Sequence, residues 1–427
     1  MTQVVPRLGS WLRQGWTDRP LGLDLAFYLV CFGYAVGMAL TNSYYGYRTW
    51  GTFATVGYGL AAAHAALLLW APVRGWLASR WVGVGAVGAV GMVLPLGFLV
   101  IRRLGGGDWQ QDPGAWSAQP EVWVIERSAS LLLERGTPYT DIAALDRPPV
   151  VDDYTPYGPV MPVFGLPRAL FGGSPLTDAL TDARLVFVAV AALTVWLTLR
   201  LLGRPPVPVR AAQLAAIVPV TALTFATAAP DLAILGLLLV ACALAARDRP
   251  AAAGAVLAVV GSAKLIALLA APVLAVLILA RLGRRALAAF GTVLLAGTAV
   301  LTLPVLLVDS GAFVEHVLRF PAGLGAVASP AASPFPGHLI ASTGPVGQAI
   351  AFALLAGAGV VIAVWLLRDP PRTGSAALLR IAVGLTAFIL LTTATRFGYL
   401  VYPFVLLGAM LVFRAAERRT EDRLTSS

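Results

Sequence analysis

The sequence predicts an all-α protein that crosses a membrane about twelve times. Three observations carry that prediction. Of the 427 residues, 58% are hydrophobic and 12% are charged, with a mean hydropathy of +0.80; a soluble domain carries about 25% charged residues. The apolar residues gather in runs near the roughly 20 residues that a spanning helix needs. The arginines stand in short clusters between those runs, where they set orientation.

The runs at 21–40, 52–71 and 82–101 each qualify as spans. Arg7, Arg13 and Arg19 precede the first, and Arg74 and Arg80 separate the second from the third, which predicts a cytoplasmic N-terminus. Three crossings then carry the segment 102–182 to the outer side. Residues 120–135 read as an amphipathic helix on the membrane surface, with Val122, Ile125, Ala129, Leu132 and Leu133 on one face and a solvated stripe of Glu126, Ser130 and Glu134 opposite. The run 159–171 is short and holds Pro162 and Pro167, so it is expected to be re-entrant or interfacial.

Further spans follow at 183–202, 211–227 and 231–246. Residues 251–263 and 265–280 are each short for a span and read as a broken pair with Lys264 at the apex. The run 286–308 leads to a second outer loop, 309–345, rich in Pro, Gly and Ser. Spans at 346–367, 376–393 and 398–413 complete the bundle, with Arg414, Arg418 and Arg419 predicting a cytoplasmic C-terminus.

The net charge of +10 does not point to nucleic acid, because the arginines flank spans rather than forming a face. The partner of that charge is the lipid bilayer. Cys31 and Cys242 both lie in predicted spans, which suggests neither a disulfide framework nor a thiol metal site. The polar N-terminus and the lack of a small-residue cleavage pattern make the first span an expected uncleaved anchor.

Carboxylates concentrate in 105–158, which holds Asp108, Asp112, Glu121, Glu126, Glu134, Asp141, Asp146, Asp152 and Asp153 out of 21 acidic residues in the chain. Ionisable groups beside lipid are functional candidates, because an unpaired charge there costs about 2.5–3.5 kcal/mol. Glu121 opens the surface helix after Pro120, where the helix dipole alone would favour it. Arg102 and Arg103 follow the third span on the outer side, either as a tolerated exception to the charge bias or as an anion-binding pair. Asp231 could cap its helix or touch substrate. His316, Arg319 and His338 share the second outer loop. Tyr139, Tyr154 and Tyr157 could stack on a sugar or sit in the interfacial aromatic belt. No nucleotide-sugar or Walker motif and no metal-ligand spacing is present, so neither a cofactor nor a metal is expected.

Three stretches carry a resemblance. The first runs from Glu121-Val122-Trp123 through Leu131-Leu132 and Gly136-Thr137-Pro138-Tyr139 to Tyr154-Thr155-Pro156-Tyr157-Gly158-Pro159. The second is Arg247-Asp248-Arg249-Pro250-Ala251-Ala252-Ala253-Gly254 followed by Gly261-Ser262-Ala263-Lys264-Leu265. The third is Arg396-Phe397-Gly398-Tyr399-Leu400-Val401-Tyr402-Pro403. Together they resemble the bacterial polyprenyl-phosphate-sugar-dependent glycosyltransferases of the GT-C fold, particularly the alpha-1,2-mannosyltransferase-like family.

The resemblance implies a GT-C-like catalytic core at 82–414, two additional helices with a tail at 1–81, and a cytoplasmic tail at 415–427. It implies transfer of a sugar, mannose above all, from a polyprenyl phosphate to a glycolipid or cell-envelope glycan outside the membrane. The family's catalytic acid falls on Glu121, where Asp is usual, with Asp108 and Asp112 as rivals. A sugar hydroxyl needs a base as the bond forms, and a departing phosphate needs cations. Lys264, the chain's one lysine, suits the phosphate or else snorkels to mark the membrane surface, and Arg396 is a further substrate-binding candidate. A secondary transporter or lipid-linked-sugar flippase would also have about twelve spans, but its ionisable groups would gather near the midplane of repeated halves. A catalytically silent relative is the third reading.

Overall fold

Helices build nearly the whole of the computed structural model, which describes residues 20–105 and 116–425. Asp108, Asp112 and the tail 1–19 lie outside the described residues. Among those described there is no strand, and the one isolated bridge joins Ala332 to Thr395. Among the described residues nine helices are long and apolar enough to span: Pro20–Thr41, Tyr45–Trp70, Trp81–Arg103, Pro175–Leu201, Leu265–Leu282, Arg284–Val308, Pro345–Arg368, Gly374–Leu391 and Phe397–Arg423. Val209–Ala215 with Pro219–Thr227 make a tenth if the interrupted pair is one span. Pro230–Ala246 and Pro250–Ala263, expected as further crossings, are apolar but shorter, so nine or ten helices rather than twelve have the length and composition of a span. The chain is an all-α, multi-pass membrane protein.

Proline punctuates the bundle. Pro120, Pro175, Pro230, Pro250, Pro336 and Pro345 each stand in the first turn of a helix, where the missing N–H costs nothing and the fixed φ favours helix entry. Residues 159–171 form a short 3-10 turn, Met161–Gly165, and a six-residue helix, Leu166–Phe171, too short to cross. The second limb of the broken pair departs from expectation, because its opening 3-10 turn extends it to Leu265–Leu282, long enough to span.

The chain divides into two units, one of residues 1–118 with 216–227 and one of residues 119–215 with 228–427. In the first, Pro20–Thr41 and Tyr45–Trp70 pack so closely that a methyl group on Gly51 would lie 2.5 Å from the backbone nitrogen of Ala39. Trp50 and Tyr58 are fully buried there, and the Tyr58 hydroxyl donates to the Ile217 carbonyl at 2.6 Å. The third span, Trp81–Arg103, packs within this unit as well.

The second unit is organised on Pro230–Ala246, apolar on all faces and buried at nearly every residue. Pro120–Arg135 also belongs to it and is more buried than a surface helix. Glu126, expected in a solvated stripe, is 6% exposed and accepts the Ala183 N–H at 3.1 Å. The carboxylate thereby satisfies one of the unpaired amides that open the helix Ala183–Leu201.

Candidate active site

Six segments of the second unit converge on one polar cluster. Pro120 starts the helix that carries Glu121 in its first turn, and Pro230 does the same for Asp231. Lys264 stands where Pro250–Ala263 ends; its extended backbone, φ −147° and ψ 114°, breaks the helix and turns the side chain out of the ladder. Arg396 and Tyr399 belong to a turn that precedes the last helix, on which Tyr402 lies. That turn is anchored to the loop 309–345: the Thr395 N–H donates to the Ala331 carbonyl at 2.8 Å and the Ser333 N–H to the Thr395 carbonyl at 2.9 Å.

Tyr157 arrives on an irregular segment held by backbone bonds. The N–H of Gly158 donates to the Ala263 carbonyl at 2.9 Å and that of Val160 to the Ser262 carbonyl at 3.1 Å. Only glycine fits at 158, since a Cβ there would sit 2.2 Å from the Ser262 oxygen. The Tyr139 hydroxyl adds a third tie, donating to the Tyr157 carbonyl at 3.0 Å. Tyr157 is thus locked to the residues immediately before Lys264.

Within the cluster the Tyr157 hydroxyl donates to Glu121 Oε2 at 3.0 Å. Lys264 Nζ is paired with Asp231 Oδ1, and the Tyr402 hydroxyl donates to the same oxygen at 2.7 Å. The rings of Tyr399, Tyr157 and Tyr402 surround the ammonium at 5.1, 5.5 and 5.9 Å. Burial pushes the Glu121 carboxyl above its ordinary range, and the Asp231 charge pushes the same way, while Lys264, Arg396 and the Tyr157 bond oppose them. Burial, and then the Glu121 charge, hold the Tyr157 phenol well above its usual value, so it stays a neutral donor. A partly desolvated carboxylate that can take a proton therefore shares a site with two cations that can hold an anion.

Of the residues singled out in the sequence, the structure gathers Glu121, Tyr157, Asp231, Lys264 and Arg396. The other described candidates have different surroundings, and Asp108 and Asp112 lie outside the described residues. Tyr139 is buried as a tie for the Tyr157 segment. Tyr154 stacks on Phe320 at 4.1 Å and donates to Glu315 at 3.0 Å. His316 is fully buried, accepting the Thr155 N–H at Nδ1 and donating from Nε2 to the Thr140 carbonyl. The ring thereby pins the backbone at Thr140 to that at Thr155. Burial lowers its pKa, which keeps the ring neutral for that double role. Arg319 pairs with Glu315 at 3.2 Å and is exposed, and His338 bonds the Thr393 carbonyl at 2.9 Å. In the first unit the Arg102 guanidinium covers the Tyr45 ring at 4.0 Å, and Arg103 ends the same helix.

Sequence reasoning missed Tyr399 and Tyr402 as site residues, although both lie in the third motif. The Asp152-Asp153 pair is split by its surroundings: Asp153 takes a two-pronged bond from Arg147 at 2.7 Å and the Val150 N–H at 2.8 Å. Among the described residues no group of three or more His, Cys, Asp or Glu side chains gathers at metal-binding range.

No curated protein and no solved structure matches the chain. The description of glycosyltransferase family 87 matches residues 154–394, more than half of the chain. That stretch includes Tyr157, Asp231 and Lys264 and stops just short of Arg396. A buried carboxylate poised for a proton, cations beside it, an apolar helical bundle and this match agree: the chain belongs to glycosyltransferase family 87 and is a membrane glycosyltransferase.

Proposed function

We propose that the protein transfers a mannosyl group from a polyprenyl phosphate to a hydroxyl of a glycolipid or cell-envelope glycan on the outer side of the membrane. The observation that carries this reading is the Glu121 carboxylate, held by Tyr157 in the same cluster as Lys264. The acceptor oxygen attacks the anomeric carbon while Glu121 takes its proton. The bond from that carbon to the phosphate oxygen breaks, and its electron pair leaves with the phosphate. Lys264 and Arg396 offset the negative charge that develops there. The arginine-rich short loops favour the cytoplasm and leave the Glu121 loop on the opposite side.

The test is transfer from radiolabelled polyprenyl-phosphate mannose in membranes holding wild type, Glu121→Gln, or Asp108→Asn with Asp112→Asn, at matched protein levels. Loss confined to Glu121→Gln supports the reading, and loss confined to the aspartate variant moves the base to Asp108 or Asp112. A wild type inactive with this and every other polyprenyl-phosphate sugar refutes the donor class.

A further inference from the structure

We infer that Asp231 and Tyr402 are positioning residues that hold Lys264 at the centre of the three-tyrosine cage, and that an anionic phosphate takes over from Asp231 as the ammonium's partner. The second half of this inference rests on the phosphate-binding reading above; the first half does not.

Lys264 needs a holder. Its side chain is only 11% exposed and follows the buried run Val260–Ala263. An ammonium with so little water around it is disfavoured in its charged form unless an opposite charge stands close. Asp231 supplies that charge from another helix, and its own side chain is 9% exposed. Tyr402, wholly buried, donates to the same carboxylate oxygen that faces Lys264. Both donors therefore meet at one atom, and Tyr402 fixes where that atom lies. Removing the Tyr402 hydroxyl would leave the charge of Asp231 in place but free its orientation.

The cage makes an exchange of partners feasible. Its rings come from three segments, the 154–158 stretch, the Phe397–Leu400 turn and the last helix, and all three centroids lie within the roughly 6 Å at which a cation is attracted to an aromatic face. The ammonium keeps this attraction whichever anion it faces. It also has three N–H donors, so it can begin a bond to phosphate before leaving Asp231. A guanidinium is a broad planar fork rather than a compact point charge, which suits lysine to this position in a chain whose other fixed cations are all arginine.

Charge gives the reason for the exchange. Among the described residues the charged groups around Lys264 are Asp231, to which it is bonded, Glu121, whose field reaches it, and Arg396, whose charge acts on Glu121 and Tyr157; the titratable phenols are Tyr157, Tyr399 and Tyr402. While paired to Asp231 the ammonium has little net attraction for a second anion. A phosphodiester brings one negative charge, and its phosphate gains another as the sugar leaves. Release of Lys264 from Asp231 would then grow more favourable as transfer proceeds, which is when stabilisation accelerates the reaction.

The single lysine permits a direct test. Full-length protein in nanodiscs, grown with lysine labelled with 13C at Cε, carries one labelled side chain, whose resonance is titrated with pH. Loss of a carboxylate partner is expected to move the midpoint to lower pH in Asp231→Asn, to a smaller extent in Tyr402→Phe, and back towards wild type in Asp231→Glu. An Asp231→Asn midpoint equal to wild type overturns the positioning role. Added polyprenyl phosphate should shift the resonance in wild type and raise the Asp231→Asn midpoint; inorganic phosphate tests whether the headgroup suffices. If polyprenyl phosphate moves neither while Asp231→Asn still titrates lower, the exchange and the phosphate reading fall and the positioning role stands.

Discussion

Gly158→Ala adds one methyl group where the structure leaves no room for it. The new carbon would lie 2.2 Å from the Ser262 carbonyl oxygen and 2.8 Å from its carbon. Both are backbone atoms, so no side chain can rotate away. Relief needs a displacement above 1 Å, since ordinary contacts begin near 3.4 Å. It would also break the bonds from Gly158 to Ala263 and from Val160 to Ser262. Two backbone hydrogen bonds at about 0.5–1.5 kcal/mol each give a stability loss of roughly 1–3 kcal/mol, the range also expected for an overpacked site. The catalytic effect should be larger, because Tyr157 moves with the segment and its 3.0 Å bond to Glu121 goes with it; a 1 Å misplacement can cost about 100-fold in rate. Gly398→Ala is the control: it lies beside Tyr399, nothing is within 4 Å of its added carbon, and it should change stability by no more than about 0.5 kcal/mol. Sugar transfer and thermal unfolding are measured on both variants. A Gly158→Ala protein as active as Gly398→Ala would refute the claim that this contact positions Tyr157.

Three other expectations follow from the same geometry. Glu121→Gln should lower kcat by about 10²–10⁴-fold, or roughly 3–5 kcal/mol in barrier, with donor KM little changed; a loss below tenfold would remove Glu121 as the base. The base acts when ionised and burial raises its pKa, so activity should fail on the acid side at a pH above the ordinary carboxylate range. Asp231→Asn removes a like charge and should move that limb to lower pH in a kcat/KM profile, and movement to higher pH would contradict the assigned electrostatics. Glu126→Ala leaves the Ala183 amide without its carboxylate partner, and thermal unfolding should show a loss of about 1–3 kcal/mol.

The fold was largely legible because membrane insertion is written in composition. Apolar runs, arginine clusters and first-turn prolines are local signals, and they recover the spans from Pro20–Thr41 to the last helix with modest errors at the ends. The broken pair at Lys264 was legible for the same reason, a charge between two short apolar runs. The first loop was read less well. Its helix showed a clean amphipathic pattern, yet Glu126 is buried, because the amides opening Ala183–Leu201 need an acceptor and nothing local to Glu126 announces that need.

Site residues divide along the same line. Glu121, Lys264 and Arg396 were candidates by charge and motif, and Asp231 and His316 without a motif, and their charge alone does not tell them apart. Partner assignment separates them: His316 has both ring nitrogens on backbone, whereas Glu121 has a tyrosine hydroxyl and two cations in its field. The sequence by itself determined the helical class, the membrane solvent and a short roster of ionisable groups, since each depends on residue type and spacing within a few turns. Only the tertiary structure decided that residues 121, 157, 231, 264 and 402 meet in one cluster of two carboxylates, one ammonium and two phenols. Those contacts join segments far apart in the chain, and their geometry is fixed by packing and backbone bonds such as Gly158 to Ala263 that leave no periodic trace.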